Sequence, residues 1–309
     1  MPPKVSVIIP THNPNAIRLE RVLFHLKAQT LPRSDWELIV IDNASEDAHF
    51  RENFDFSWHP TFQILREPKL GLTHARLAGY QSASAPILVF VDDDNLLGEA
   101  YLQSALEAMG QYPNLGAIGG KSSPNFESEP PRWVREFDTC LALRDLGDEI
   151  ITSPASLHID AYPEYAPIGA GMVLRKQAME AFVSVFDETY DPILDRRGSS
   201  LSSGGDNDII LHLLKGGWGV GYFPELTLEH IIPVSRISKN YLARLNYETS
   251  RSWIKVLHKH GVLPWKAIPA STVWLRKVKA FWQYRAFLDA PRYIRWCGAC
   301  GMYEALSEL

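Results

Sequence analysis

Cysteine is scarce: Cys140, Cys297 and Cys300 are the only three in 309 residues. An odd count gives no complete disulfide framework, and the single Cys297-Gly-Ala-Cys300 pair has no second pair to finish a zinc site. Reduced thiols without a metal or redox role are the expectation. Long hydrophobic runs are missing too. The longest, residues 86–91 (PILVFV) and 5–9 (VSVII), fall well short of the roughly 20 residues a spanning helix needs. The first residues show no charged n-region, apolar h-region and small-residue cleavage site, so the chain is expected in the cytosol. No G-x-G-x-x-G follows a strand pattern, which sets aside a dinucleotide-binding dehydrogenase. Internal repeats and low-complexity segments are also absent.

Positive charge is short over most of the chain. The net charge of −5 hides an asymmetry: residues 236–309 hold 13 Lys+Arg against 4 Asp+Glu, whereas residues 1–235 hold 18 against 32. An acidic body argues against nucleic acid as a partner, because that binding depends on Lys and Arg neutralising phosphates. A phosphate group held by this body would need a cation. With 46% hydrophobic residues, the chain can bury the core of one large domain, or of a domain with an appendage.

The first 120 residues alternate β-rich and helical patterns. Strands are predicted at 5–10, 37–42, 62–67, 86–92 and 116–120, and helices at 16–29, 73–83 and 99–109. This rhythm builds a mostly parallel sheet with helices on both faces, and the uniformly apolar strands fit it. Between residues 121 and 167 the periodicity fades into a long excursion with some short elements of its own. Strand patterns return at 168–175, 220–223 and 226–230, with a helix over 206–215 between them. After Pro233 the pattern is helical. Ligands of such sheets sit at the carboxyl ends of the strands, and the exits here are Thr11-His12-Asn13, Asp42-Asn43-Ala44-Ser45 and Asp92-Asp93-Asp94-Asn95.

Three adjacent carboxylates leaving a buried strand repel one another unless water or a divalent cation compensates them. Mg²⁺ or Mn²⁺ suits such hard oxygen ligands, and a solvated turn ahead of the helix near Glu99 is the alternative. Asp42 could equally serve a local Asx-turn, and Arg76, following Gly71 at a helix start, could be an ordinary surface residue. Gly169-Ala170-Gly171 lets backbone approach a ligand or pack tightly under a helix. Asp206 would make a good N-cap for its helix.

Six segments, SVIIPTHN, IVIDNASED, GLTHARLAGY, VFVDDDN, GAGMVLRK and GGDNDIILHLLKGGWGVGYFPELTLEH, occur in this order. Together they resemble the family 2 glycosyltransferases of the GT-A fold, over roughly residues 4 to 231. The resemblance implies an α/β, Rossmann-like sheet forming a catalytic domain over 1–235, with a nucleotide-binding half (1–120) and an acceptor-binding half (121–235). Residues 236–309 would be a basic helical extension. It further implies a metal-dependent, inverting enzyme that moves a sugar from a nucleotide-diphospho-sugar, with UDP favoured, to a saccharide or lipid-linked saccharide. Surface polysaccharide or glycoconjugate synthesis is the implied setting.

Carried over residue by residue, Asp94 reaches a Mn²⁺ or Mg²⁺ ion, with His230, or Glu229 beside it, as a further ligand. Pro10, Thr11, Asn13, Asp42, Arg76, Asp92 and Asp93 surround the nucleotide. Gly169, Ala170, Gly171 and Gly205 border the donor sugar and acceptor. Asp206 is the base, and Asp208 points elsewhere. Gly205 departs from the family's usual Glu, which leaves open a nucleotide-sugar binding module without catalysis. A sugar-1-phosphate nucleotidyltransferase shares the fold type but needs a Gly-rich basic loop after the first strand, which PTHNPNAI lacks. The extension holds five of the nine tryptophans among basic residues. It is expected either to lie on an anionic membrane surface or to pack over the acidic body.

Overall fold

The computed structural model describes residues 2–46, 52–153, 161–198 and 200–309. Among them, nine strands form one sheet. Its first half contains β1 (Val5–Thr11), β2 (Trp36–Asp42), β3 (Phe62–Arg66) and β4 (Ile87–Phe90), and its second β5 (Asn95–Leu97), β6 (Leu115–Phe126), β7 (Ile151–Thr152), β8 (Val173–Arg175) and β9 (Gly219–Ile232). The order is β3-β2-β1-β4-β8-β6-β9-β5, with β7 on β9. Pairings in the first half are parallel. In the second half β8 runs antiparallel to β4 and β6, while β6 and β9 are parallel.

The sheet is apolar on both faces because both are covered. Val5, Val7, Ile9, Leu38 and Val40 enter one core with α1 (Ala16–Lys27) and α3 (Tyr101–Gln111). Ile8, Ile39 and Ile41, one residue out of phase, enter the other. The helices there are α2 (Leu72–Ser82), α4 (Lys176–Val183), the single turn α5 (Phe186–Thr189) and α6 (Gly205–Lys215). Alternate side chains of a strand point to opposite faces, so one apolar run feeds two cores.

Three expectations need correction. The predicted strand over 168–175 begins only at Val173, because Gly171, at φ +68°, turns the chain beneath Tyr101. The two short strands at 220–223 and 226–230 are one strand, β9, whose register against β6 shifts near Gly119. The strand expected to end at residue 120 continues as β6 to Phe126, after which the excursion does form short elements, a 3₁₀ segment over Arg132–Leu141 and β7; its residues 154–160 lie outside the described residues.

Helices α7 (Lys239–Lys259), α8 (Val273–Gln283) and α9 (Ala290–Ser307) complete the chain. Ser238 and Asp289 cap α7 and α9 through their side chains, as N-caps of these types do. Leu242, Leu245 and Ile294 of α7 and α9 close a third core with Val134, Phe137 and Leu141.

Candidate active site

The parallel register brings Thr11 level with Asp42 and Asp42 level with Arg66, so the first exits open on one edge. Beside them lies a cleft of about 840 Å³. Pro10, Thr11, Arg76, Asp92, Asp93, Asp94, Gly169, Ala170, Gly205, Asp206 and His230 all line it, although the chain separates them by up to 220 residues.

Strand β5 explains how Asp94 meets His230. Its antiparallel pairing on β9 sets Asn95 opposite His230, and the Ile231 N–H donates to the Asp94 carbonyl at 2.9 Å. His230 Nδ1 donates to the Leu141 carbonyl at 2.9 Å, leaving Nε2 3.4 Å from Asp94 Oδ1. The Arg236 guanidinium spans both, 2.9 Å from Asp94 Oδ2 and 3.3 Å from His230 Nε2. A positive group is thus seated where a carboxylate and an imidazole nitrogen converge. One nitrogen and hard oxygens fit Mn²⁺ or Mg²⁺, with the ring orientation fixed by the Leu141 carbonyl.

The three carboxylates do not titrate alike. Burial tends to raise Asp94, but His230 and Arg236 outweigh it and hold this carboxyl below its ordinary range. Burial, then the neighbouring Asp94 charge, pushes Asp93 up to about 7; the Thr11 hydroxyl donates to it. Burial also raises Asp92, with Arg76 opposing. Arg76 is only 2% exposed. Its Nη2 lies 3.6 Å from Asp92 Oδ1 and 3.5 Å from the Gly169 carbonyl. Arg76 Nε and Asp92 Oδ1 are both buried without a hydrogen-bond partner. Buried orphans of this kind point to a ligand that supplies the missing groups.

Asp206 is not an N-cap: α6 starts at Gly205, capped by Gly204 without a side-chain bond, and Asp206 sits in its first turn. There its Oδ2 accepts the Gly169 N–H at 2.9 Å. A Cβ at Gly169 would come within 2.6 Å of Asp206 Oδ2 and 2.8 Å of Arg76 Nη2, so glycine is required for this approach. At Gly205 a Cβ would meet Thr73 Oγ1 at 2.8 Å. That hydroxyl is bound to buried Asp195, whose carboxylate also accepts the Thr73 N–H at the start of α2. Asp208 does point elsewhere, to Lys259 Nζ and His260 Nε2, both at 2.7 Å.

Several expected residues lie outside the cleft wall. Asp42 is buried against Arg66 Nη1 at 2.7 Å and the Ser45 N–H at 2.9 Å, while its neighbour Asn43 lines the cleft. Asn13, at φ +47°, is exposed and accepts the Glu46 N–H. Gly171 packs beneath Tyr101 and Leu228. Glu229, one residue out of phase with His230 on β9, faces solvent and binds Asn125. Other lining residues carried no readable signal: Arg236, Arg144, Tyr162, and Tyr241, Leu245 and Trp253 of α7. Arg236 lies 142 residues from Asp94, and no local pattern links them.

Comparison with known proteins places this geometry. Residues 6–182 match the sequence profile of Glycosyl transferase family 2. Validoxylamine A glucosyltransferase of Streptomyces hygroscopicus subsp. limoneus is 35% identical over 152 residues, 47% of this chain and 33% of that protein. Glycosyltransferase AglE of Haloferax volcanii is 27% identical over 198 residues, 59% and 64% of the two chains. The matched stretches therefore span one third to two thirds of these relatives. Among solved structures, S. aureus TarS 1–349 superposes with a TM-score of 0.53 at 13% identity, covering 99% of this chain and 90% of that one; TarS has also been solved with UDP. GalNAc-T7 with UDP, GalNAc and Mn²⁺ gives 0.56 at 17% identity, covering 99% and 56%. At these identities the structures speak for the fold alone. With over half its length matched and its sheet built as in these structures, the chain belongs to glycosyltransferase family 2, an inverting family.

Proposed function

We propose that this chain is a metal-dependent, inverting glycosyltransferase. It would transfer a sugar from a UDP-sugar to a hydroxyl of a saccharide or lipid-linked saccharide, in the making of surface polysaccharide or another glycoconjugate. The observation that carries the reading is the presence in one cleft of a cation-collecting corner, Asp94 with His230 Nε2, and a separately held carboxylate, Asp206. The structures of TarS with UDP and of GalNAc-T7 with UDP and Mn²⁺ support the choice of donor and metal.

Asp94 and His230 would hold Mn²⁺ or Mg²⁺. When bound, such an ion neutralises charge that builds on the departing diphosphate. Arg236 and Arg76 add fixed positive charge in the same cleft. Thr11, Asn43 and Asp92 line the nucleotide side, and Asp42 supports it from behind through the chain it shares with Asn43. Asp206 takes the acceptor proton as the hydroxyl oxygen bonds to the anomeric carbon and the bond from that carbon to the diphosphate oxygen breaks, so that UDP leaves intact. The Gly169 N–H fixes Oδ2 of that carboxylate and leaves Oδ1 to receive the proton. Such assistance contributes about 10²–10⁴ in rate.

Gly205 in the usual place of Glu does not argue for lapsed catalysis. The Thr73 hydroxyl, held by Asp195, already occupies the place a side chain at 205 would take. The test is Asp206→Asn, which keeps size and the contact with Gly169. UDP release from UDP-sugars should fall by at least the factor above while calorimetric UDP affinity with Mn²⁺ stays near normal. An Asp206→Asn enzyme with wild-type kcat would remove Asp206 as the base.

A further inference from the structure

The basic extension divides into two parts with different surroundings. Helices α7 and α9 pack on the body: Lys259 reaches Asp208, Trp253 meets Tyr162 at 5.1 Å between ring centroids, and Arg295 pairs with Glu136. Helix α8 is held from one side only. Ala280 is buried, Lys277 pairs with Glu304, and the Trp296 indole N–H donates to the Lys277 carbonyl at 2.9 Å.

Its other side is apolar and open. Trp274 is 62% exposed and Trp282 64%, and Leu275, Val278, Phe287 and Leu288 are exposed beside them. At about 100° per residue, Trp274, Val278, Trp282 and Leu275 fall within one stripe of roughly 100°, with Lys279 next on its edge. Residues 265–303 contain seven Lys+Arg and a single acid, Asp289. Of the seven, Lys266, Arg276, Lys279 and Arg285 are exposed and make no ion pair among the described residues. Contiguous apolar surface bordered by polar groups marks an interaction site.

We propose that α8 and the turn after it, residues 273–288, dock flat on an anionic phospholipid surface. Trp274, Leu275, Val278 and Trp282 would enter the headgroup boundary, and Lys279 and Arg285 would meet lipid phosphates. An 11-residue helix is too short to span a bilayer, and no helix among the described residues is long and apolar enough to do so, so the contact is interfacial. A second copy of the chain is a poorer partner. A two-fold interface sets the same patch against itself, which would crowd these unpaired cations together. The proposal does not depend on the assignment of the cleft.

The test is flotation of the full chain with phosphatidylcholine vesicles, with and without phosphatidylglycerol, at low and high salt. Binding is expected only to the anionic vesicles, weakened by salt and accompanied by a blue shift of tryptophan emission. Trp274→Glu with Trp282→Glu should abolish it while leaving the circular-dichroism melt and Mn²⁺-dependent UDP binding unchanged. Lys279→Gln with Arg285→Gln should weaken it about 30-fold, each cation near the surface contributing roughly fivefold. No binding to anionic vesicles at low salt, or equal binding to both kinds, overturns the proposal. So does a dimer, seen by sedimentation without vesicle binding, that the two Trp substitutions dissociate.

Discussion

Gly169→Ala isolates positioning from chemistry, because it adds one methyl group to a backbone that any L-residue can adopt. The new Cβ would stand 2.6 Å from Asp206 Oδ2 and 2.8 Å from Arg76 Nη2, against an ordinary contact of at least 3.4 Å. Each side-chain end must therefore retreat by roughly 0.6–0.8 Å. Both are ends of side chains, so the fold can yield without unfolding, and the lower chain entropy of Ala in the unfolded state returns about 0.4–1 kcal/mol. A displacement near 1 Å at a reacting group costs about 10²-fold, so kcat should fall about 10- to 100-fold. The melting temperature should move by no more than about 3 °C. UDP release at saturating donor and acceptor gives kcat, and calorimetry with Mn²⁺ gives UDP affinity, which should drop less than kcat. A Gly169→Ala enzyme within twofold of wild-type kcat would refute the claim that this glycine sets the position of Asp206.

Asp94→Asn, and separately His230→Ala, should remove most of the Mn²⁺-dependent part of UDP affinity and leave the fold intact; equal calorimetric affinity with and without EDTA in the wild type would contradict this. Asp208→Ala strips both Lys259 and His260 of a buried partner and should cost roughly 3 kcal/mol, read by urea unfolding. A change under 1 kcal/mol there would show that the α6–α7 tie contributes little. His59 is packed on Trp36 at 4.1 Å between rings, and burial lowers its pKa from 6.5 to about 4. The unfolded chain takes up a proton that the folded one refuses, so this residue leaves stability untouched above pH 6.5. It removes up to about 3 kcal/mol as pH falls from 6.5 to 4. His59→Gln should flatten that stretch of the stability–pH curve, and an unchanged slope would rule His59 out as its cause.

What could be read from the chain alone follows the range over which its signals act. β1 and β2 are mostly apolar and buried along all seven residues, and both were legible as buried parallel strands. β5 was not. Asn95-Leu96-Leu97 is too short to carry a period, yet it sets Asp94 beside His230. The Asp92–Asp94 cluster announced itself by its own repulsion, whereas Arg236, its compensating charge, lay in what read as the start of a separate basic tail. Gly169 could be named from its small size, but the strand expected around it hid its turn. Asp208 was rightly expected to point away from Asp206, though its partners Lys259 and His260 had no local mark. The membrane and packing alternatives for residues 236–309 could not be separated by composition, because burial divides them helix by helix.

The pairing of Asn95 with His230 has a further consequence for how the protein comes into being. Asp94 leaves the ribosome 136 residues before the histidine it faces and 142 before Arg236. Closing loops of that length costs entropy that local strand pairing does not, and contacts so far apart in sequence are slow to form. The first parallel strands can gather early, but the cation corner cannot exist until β9 has been made and laid against β5. A nascent chain would therefore hold this acidic strand end without His230 and Arg236 while 136 further residues are added, and the proposed metal corner would be completed late and all at once.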